Sequence, residues 1–193
     1  LALSVPVLAV AGLVVLGVVS LGARGPDRDN PGARLAKPRP PVGHAAFFDE
    51  PFADGPSVTR SCLRCHEESA AEVMETSHWS WADQEVEAPG EGRTVAIGKR
   101  NLINNFCIAV AGNWPRCTSC HAGYGWKDDS FDLTRPENVD CLVCHDTTGT
   151  YFKSPAGAGE PAEGVDLLAV AKGVGRPSRR NCGSCHFNGG GGD

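Results

Sequence analysis

The sequence Cys62-Leu63-Arg64-Cys65-His66 decides how this chain folds, because its pattern occurs four times. In each copy two cysteines are separated by two residues and a histidine follows the second cysteine directly. We number the copies in chain order as the first to fourth motifs. The other three are Cys117-Thr118-Ser119-Cys120-His121, Cys141-Leu142-Val143-Cys144-His145 and Cys182-Gly183-Ser184-Cys185-His186.

This spacing predicts the covalent attachment of haem c. The two thiols can reach the two vinyl groups of one porphyrin while the adjacent imidazole coordinates the iron. Zinc is the alternative, since paired cysteines also form tetrahedral zinc sites, but zinc does not require the histidine. We therefore predict four covalently bound haem c groups. The attachment residues are Cys62, Cys65, Cys117, Cys120, Cys141, Cys144, Cys182 and Cys185, and the iron ligands from the motifs are His66, His121, His145 and His186.

The composition predicts a fold that depends on these groups. The 193 residues would normally form one domain, but aromatic residues make up only 7% of them, against 24 Gly and 14 Pro. Four buried porphyrins would supply the missing apolar volume. We expect a mainly α fold with extensive loops and little β structure, a multihaem cytochrome c fold packed around four covalent haems. The net charge of −5 argues against a nucleic-acid partner.

The N-terminal part predicts export. Residues 1–23 are almost continuously apolar, about the 20 residues needed to cross a bilayer, and are interpreted as a signal sequence or a membrane anchor. Residues 24–43, with five prolines and five basic residues, are interpreted as an extended linker. Residues 44–193 form the predicted tetrahaem domain. Because haem c is attached outside the cytoplasmic membrane, we expect an extracytoplasmic protein, in the periplasm or on the outer face of that membrane.

Local patterns predict few regular elements within this domain. Residues 67–78 have helical spacing of apolar positions and are predicted as one helix, which would carry His78 away from His66 to a different haem. Residues 84–100 predict a surface loop or irregular hairpin, and residues 165–173 a short helix ending at glycine.

The supply of axial ligands is short. Four six-coordinate irons need eight ligands, and besides the motif histidines the chain has only His44 and His78, which we predict to be iron ligands. At least two irons then lack a histidine from this chain. Met74 is more consistent with packing than with ligation. Lys127 is either a solvated surface lysine or a ligand, and ligation would require a lowered pKa to free the amine. The ninth cysteine, Cys107, is either a buried small apolar residue or a redox thiol.

Several blocks of the sequence resemble the octahaem tetrathionate reductase family of multihaem c-type cytochromes. They are Thr76-Ser77-His78-Trp79, Asn104-Asn105-Phe106-Cys107, the second motif with Gly123-Tyr124-Gly125-Trp126-Lys127, Asp140 to Thr150, Gly175-Arg176-Pro177-Ser178 and Gly189 to Gly192. The resemblance implies an extracytoplasmic reductase of tetrathionate, nitrite or hydroxylamine, with one active-site haem ligated by a lysine. Carried over, that haem is the one on Cys117, Cys120 and His121, with Lys127 as its ligand and Cys107 as an active-site thiol.

Members of the family carry eight haems, whereas this chain has four motifs. The chain is therefore expected to be a fragment of a multihaem oxidoreductase, to be completed by a further multihaem segment or partner chain, or to act as a tetrahaem relative. The expected partners are an electron-donor protein, a small inorganic oxyanion substrate, and the membrane through the N-terminal segment. The alternative function is a tethered tetrahaem electron-transfer cytochrome without a substrate site, and a weaker one is a structural subunit.

Overall fold

The computed structural model describes residues 42–82, 84–100 and 110–187. These residues all belong to one structural unit, Pro41–Asp193. The predicted signal or anchor, nearly all of the linker, Cys107 and the glycine run after residue 188 lie outside the described residues. Within the described ranges, no helix combines the length and the apolar character needed to span a bilayer.

Short helices joined by long loops make up the described part of the chain. The α-helices are α1 (Gly55–Leu63), α2 (Ser69–Met74), α3 (Ser77–Ser80), α4 (Trp114–Cys117), α5 (Cys141–His145), α6 (Leu167–Lys172) and α7 (Arg179–His186). Single 3-10 turns cover Ala45–Phe47, Val110–Gly112, Thr118–Cys120 and Pro136–Asn138. The predicted fold class, mainly α with extensive loops and little β structure, is confirmed.

The strands of the described residues form one antiparallel pair, β1 (Gln84–Glu87) and β2 (Thr94–Ile97), with Gln84 opposite Ile97. This pair confirms the hairpin alternative predicted for residues 84–100. Most of its side chains are exposed. The hairpin is therefore a surface feature, away from the apolar interior.

The prediction of one continuous helix over residues 67–78 is wrong. The chain leaves the helical conformation at Thr76, whose φ of −96° and ψ of 160° are extended, and α2 and α3 lie on either side of it. The Thr76 hydroxyl donates to the Val73 carbonyl at 2.7 Å. Threonine side chains compete in this way for backbone carbonyls, which favours helix ends over helix interiors. The short helix predicted at residues 165–173 is confirmed as α6, which Asp166 caps and which ends at Gly173.

The apolar core of the described residues is divided into three small clusters. One packs α1 against α5 and α6 through Val58, Leu142 and Val170, each 0% exposed. The others centre on Trp81 with Trp126 and on Trp79 with Val139. Each cluster lies beside at least one motif cysteine: Cys62, Cys117 or Cys141. The protein interior is therefore built around the motifs.

Candidate haem sites

Each of the four motifs folds as a helical turn. In the first motif, the amides of Cys65 and His66 both donate to the Cys62 carbonyl, at 3.1 and 3.0 Å. The second motif begins at the last residue of α4 and continues through a 3-10 turn. The third motif forms the whole of α5, and the fourth forms the end of α7. Residues three and four apart in such a turn share one face. Both thiols of a motif can thus reach one ligand that its histidine also faces.

Side-chain caps fix where three of these helices begin. Asp54 accepts from the Ser57 amide at the start of α1, and Ser178 forms a reciprocal capping box with Asn181 at the start of α7. Asp140 accepts from the Val143 amide at 3.0 Å and begins α5 one residue before its first cysteine. The caps satisfy amides that a helix of this length leaves unpaired.

A large apolar cavity lies over the first motif. It measures about 810 Å³, and His44, Phe48, Cys62, Cys65 and His66 are among the residues that line it. We call this cavity the open pocket. Its volume is within the range of about 300–1,000 Å³ that small-molecule and cofactor sites occupy. Cys141 and His145 of the third motif also line it, so the first and third motifs meet at this cavity.

A second cavity, of about 510 Å³, lies between the second and fourth motifs. Cys117, Cys120 and Cys185 line it, together with four basic side chains, Lys99, Arg116, Lys153 and Arg180. We call it the cationic cavity. Asp146 also lines it, so basic side chains outnumber acidic ones. A cavity of this charge suits the carboxylate of a haem propionate or an inorganic oxyanion.

Two pairs of histidine rings lie at the separation expected across a metal ion. The ring centres of His44 and His66 are 6.1 Å apart, and those of His78 and His186 are 6.3 Å apart. Two metal–nitrogen bonds of about 2 Å, with about 1 Å more from each nitrogen to its ring centre, separate two axial imidazoles by about 6 Å. The residues predicted as additional ligands thus each face a different motif histidine.

His145 is oriented by a backbone carbonyl. Its Nδ1 lies 2.8 Å from the Gly175 carbonyl oxygen. A carbonyl only accepts, so Nδ1 carries the proton and Nε2 is left for another partner. Metal-ligating histidines are usually held in this way, since the bond to the second nitrogen fixes both the tautomer and the ring direction.

His121 is enclosed by four aromatic rings. Trp79, Trp81, Trp126 and Phe131 have ring centres 4.8, 5.4, 4.7 and 5.7 Å from its own. We call these four side chains the aromatic box. The His121 side chain is 0% exposed inside it. Two of the four rings, Trp79 and Trp81, come from a segment about 40 residues before His121, so the box forms only when the chain has folded.

The polar atoms of His121 fit a metal ligand. One ring nitrogen, Nε2, donates to the Trp79 carbonyl at 2.7 Å, and the other, Nδ1, has no hydrogen-bond partner. Burial lowers the pKa of His121 to about 3, against the opposing effect of the Trp79 bond. The ring is therefore neutral, the state that metal binding requires. In the described part of the chain, buried side-chain nitrogens and oxygens without a partner number two, Nδ1 of His121 and Nδ1 of His44.

Cysteines of different motifs contact one another. A hydrogen bond between the Cys62 and Cys141 thiols lowers the pKa of Cys62 and raises that of Cys141. A similar bond lowers the pKa of Cys120 to about 6 and raises that of Cys185. These two contacts join the first motif to the third and the second to the fourth. The third and fourth motifs are joined by a pair of bonds from the Asn181 side-chain amide to the Val143 and Asp146 carbonyls, at 3.4 and 2.9 Å.

Comparison with known proteins gives one informative similarity. No protein-family model and no curated protein matches the chain. A solved structure, the crystal structure of octaheme cytochrome c from Shewanella oneidensis, is similar at 57% sequence identity with a TM-score of 0.71. The match covers 77% of this chain and 33% of that one, so the chain spans about a third of the length of this relative.

The chain is a multihaem c-type cytochrome. The four helical turns, the neutral buried imidazole and the two cavities fit haem c as the bound group, with the motif thiols as its attachment points.

Lys127 lies on the surface of the cytochrome. Its side chain is exposed in the loop after Trp126, and its amide donates to the Gly125 carbonyl at 2.9 Å. Partial burial raises the pKa of Glu160, and the positive charge of Lys127 opposes this shift. The predicted role of Lys127 as an iron ligand stays a prediction, as does that of Cys107, which is outside the described residues.

Sequence reasoning missed four polar residues that lie between two motifs of the cytochrome. Asp140, Lys153, Tyr124 and Tyr151 form one buried hydrogen-bonded cluster. Asp140 could have been suspected, because an aspartate directly before a helical cysteine is a typical N-cap. Lys153 carries no motif that distinguishes it from a surface lysine.

Proposed function

We propose that this cytochrome unit holds four haem c groups, one at each motif, and conducts electrons among them. The observation that carries the proposal is that all four motifs are helical turns whose cysteines meet across motif boundaries. When bound, haem supplies one-electron transfer, and the protein supplies attachment, orientation and electrostatics.

The histidine pairs support the assignment of two complete axial sets. His44 would serve the iron held by His66, and His78 the iron held by His186, because each pair has the separation of about 6 Å that two metal–imidazole bonds require. His121 and His145 have no such histidine opposite them among the described residues. The two irons they would hold are thus the candidates for an open or differently ligated position.

The motif contacts support a single connected relay. Cys62 contacts Cys141, Asn181 ties the fourth motif to the third, and Cys120 contacts Cys185. The first motif therefore neighbours the third, and the fourth neighbours both the third and the second. The third also neighbours the second directly, through the bond from the Asp140 amide to the Ala122 carbonyl.

We propose further that the second motif is the substrate end, where a small inorganic species such as tetrathionate, nitrite or hydroxylamine is reduced. Two features support it. His121 has no facing histidine in the described ranges, and the cationic cavity beside Cys117 and Cys120 carries three basic side chains besides the ion-paired Lys153, namely Lys99, Arg116 and Arg180. These side chains can attract an oxyanion or neutralise haem propionates. Lys127 is the candidate sixth ligand through the family resemblance, and ligation would require its exposed amine to lose its contact with water.

A second function is favoured by the exposure of Lys127. If that lysine stays in solvent, the chain is an electron-transfer cytochrome without a substrate site of its own. In either case we propose an extracytoplasmic location, since haem c is attached there. An electron-donor protein and a further multihaem segment are the proposed partners, and the membrane is a partner through residues 1–23.

The test begins with the intact mass of the secreted full-length chain. Four haem increments are expected, and fewer would contradict the proposed count. Electron paramagnetic resonance should then give two haems with bis-histidine signatures and two without. A spectrum of four bis-histidine haems would contradict the assignment of His121 and His145 as unpaired ligands.

Turnover separates the two functions. Oxidation of a reduced dye by tetrathionate, nitrite and hydroxylamine is measured for the wild type, Lys127→Ala, and the matched control Lys172→Ala on α6. Loss of turnover in Lys127→Ala alone supports the lysine-ligated reductase. Equal turnover in all three excludes Lys127 as the active ligand, and no turnover in the wild type supports electron transfer only.

A further inference from the structure

A buried ion pair connects the second and third motifs. Lys153 Nζ lies 3.1 Å from Asp140 Oδ2, and the two side chains are 7% and 0% exposed. Removing two charges from water is costly, and such a pair is tolerated only when further hydrogen bonds satisfy both groups. The contacts of each partner therefore indicate whether the site is complete.

Both partners are fully satisfied. Asp140 Oδ1 accepts from the Tyr124 hydroxyl at 2.8 Å and from the Val143 amide at 3.0 Å, and Oδ2 accepts from the Tyr151 hydroxyl at 2.7 Å. Lys153 donates to the His121 and Gly123 carbonyls, at 2.5 and 3.3 Å, as well as to Asp140. An ammonium has three protons, so each has an acceptor.

Each charge lies toward a different motif. The ammonium of Lys153 lies against the carbonyl of His121, the ligand residue of the second motif. The carboxylate of Asp140 caps α5, the turn that forms the third motif. The cation thus binds the backbone of the second motif, and the anion binds the backbone of the third.

The backbone already holds these segments together without the ion pair. The Asp140 amide donates to the Ala122 carbonyl and the Tyr124 amide to the Asn138 carbonyl, both at 2.9 Å. Gly123 and Val139 form an antiparallel bridge between them. Main-chain pairing therefore accounts for the approach of the two motifs, and the charges need another explanation.

We propose that the Lys153–Asp140 pair sets the relative reduction potentials of the haems held by His121 and His145. This inference rests on the proposed function, which places a haem at each of these two histidines. Oxidation of an iron adds one positive charge, which a nearby buried cation opposes and a nearby buried anion favours. Lys153 raises the potential of the iron held by His121, and Asp140 lowers that of the iron held by His145. Electrons are accordingly drawn toward the second motif.

The test is a spectroelectrochemical titration of the haem-loaded full chain, with the potentials assigned by paramagnetic resonance. Lys153→Met should shift the potential of the His121 haem downward, and Asp140→Asn should shift that of the His145 haem upward. Lys153→Arg keeps the positive charge and should leave the potential of the His121 haem at its wild-type value. The double variant Lys153→Met/Asp140→Asn, which leaves no unpaired buried charge, should reduce the difference between the two potentials.

Unchanged potentials in Lys153→Met at full haem content would overturn the proposal and leave the pair a purely structural contact. Should Lys153→Met fail to fold, the double variant decides: a wild-type difference between the two potentials contradicts the proposal. A failure of the proposed function would appear differently, as a wild-type protein that lacks haem at the second or third motif. Measuring the haem content of the wild type therefore distinguishes it from a failure of the present proposal.

Discussion

The first and second motifs have the same spacing but opposite surroundings. In the first, His66 is exposed, faces His44, and borders an apolar cavity of about 810 Å³. In the second, His121 is 0% exposed and is enclosed by the four rings of the aromatic box. The open pocket needs a bound group to fill it, whereas the protein itself packs the aromatic box. One motif can thus serve two environments, and the neighbours decide which.

The largest expected effect comes from blocking attachment at the open pocket. Cys62→Ala/Cys65→Ala should abolish the folded cytochrome, because an unfilled apolar void of about 810 Å³ exceeds what the marginal stability of a domain tolerates. Cys117→Ala/Cys120→Ala should retain more folded protein, since the aromatic box keeps its own packing. Intact mass reports the attached haem, and limited proteolysis reports the folded fraction. Greater loss in the second variant would reverse the comparison.

The next effect tests whether the aromatic box is held by protein packing. Trp126 is 1% exposed and its ring centre lies 5.2 Å from that of Phe131. Trp126→Ala should reduce the free energy of unfolding by about 3–5 kcal/mol, the usual cost of removing a buried aromatic side chain. Denaturant unfolding of the haem-loaded protein measures it.

The half-buried Trp114, which stacks on Trp126 at 5.6 Å, provides the matched control. Trp114→Ala should cost less, because the residue loses less buried area. Equal costs for the two substitutions would mean that burial in the box does not set its stability.

A smaller, local effect should follow from removing the histidine that faces the first motif. His44→Ala takes away the ring 6.1 Å from His66 and should convert one haem from a six-coordinate low-spin state to a high-spin state. His78→Ala should do the same for the haem held by His186, 6.3 Å away. Magnetic circular dichroism distinguishes the two states. If the His44→Ala spectrum were identical to that of the wild type, His44 would be excluded as a ligand.

The attachment points are the part of the candidate site that sequence can predict, because haem c attachment depends on local spacing. The two cysteines and the histidine of each motif lie within one turn, so local geometry suffices. The mainly α, loop-rich fold follows from the same motifs and from the scarcity of aromatic core residues. His44 and His78 could be selected by counting ligands, since the chain has few histidines.

Features that depend on tertiary structure could not be predicted. The aromatic box joins Trp79 to Trp126 and Phe131, and no periodicity relates them. The Lys153–Asp140 pair is likewise formed by chain topology, which brings the loop after α5 back to the second motif. The helix break at Thr76 was missed because a hydroxyl bond to a single carbonyl outweighed the helical preference of the residues before it.

The smallest effect concerns the caps that begin the motif helices. Asp54 accepts from the Ser57 amide at 2.7 Å and begins α1, which buries Val58 and carries Cys62 in its last turn. Asp54→Ala should reduce the free energy of unfolding by about 1 kcal/mol, the typical loss for an N-cap. Asp54→Asn should recover most of it, because the amide oxygen can accept the same bond.

Ser178→Ala at the start of α7 is the comparison for that cap. α7 has one buried residue, Gly183, whereas α1 has three, so its first turn is coupled to less of the core. Removing the Ser178 cap should therefore reduce the free energy of unfolding by no more than Asp54→Ala does, as measured in the same denaturant titration. If Ser178→Ala proved the more destabilising, the fourth motif rather than the open pocket would be the region on which the fold depends.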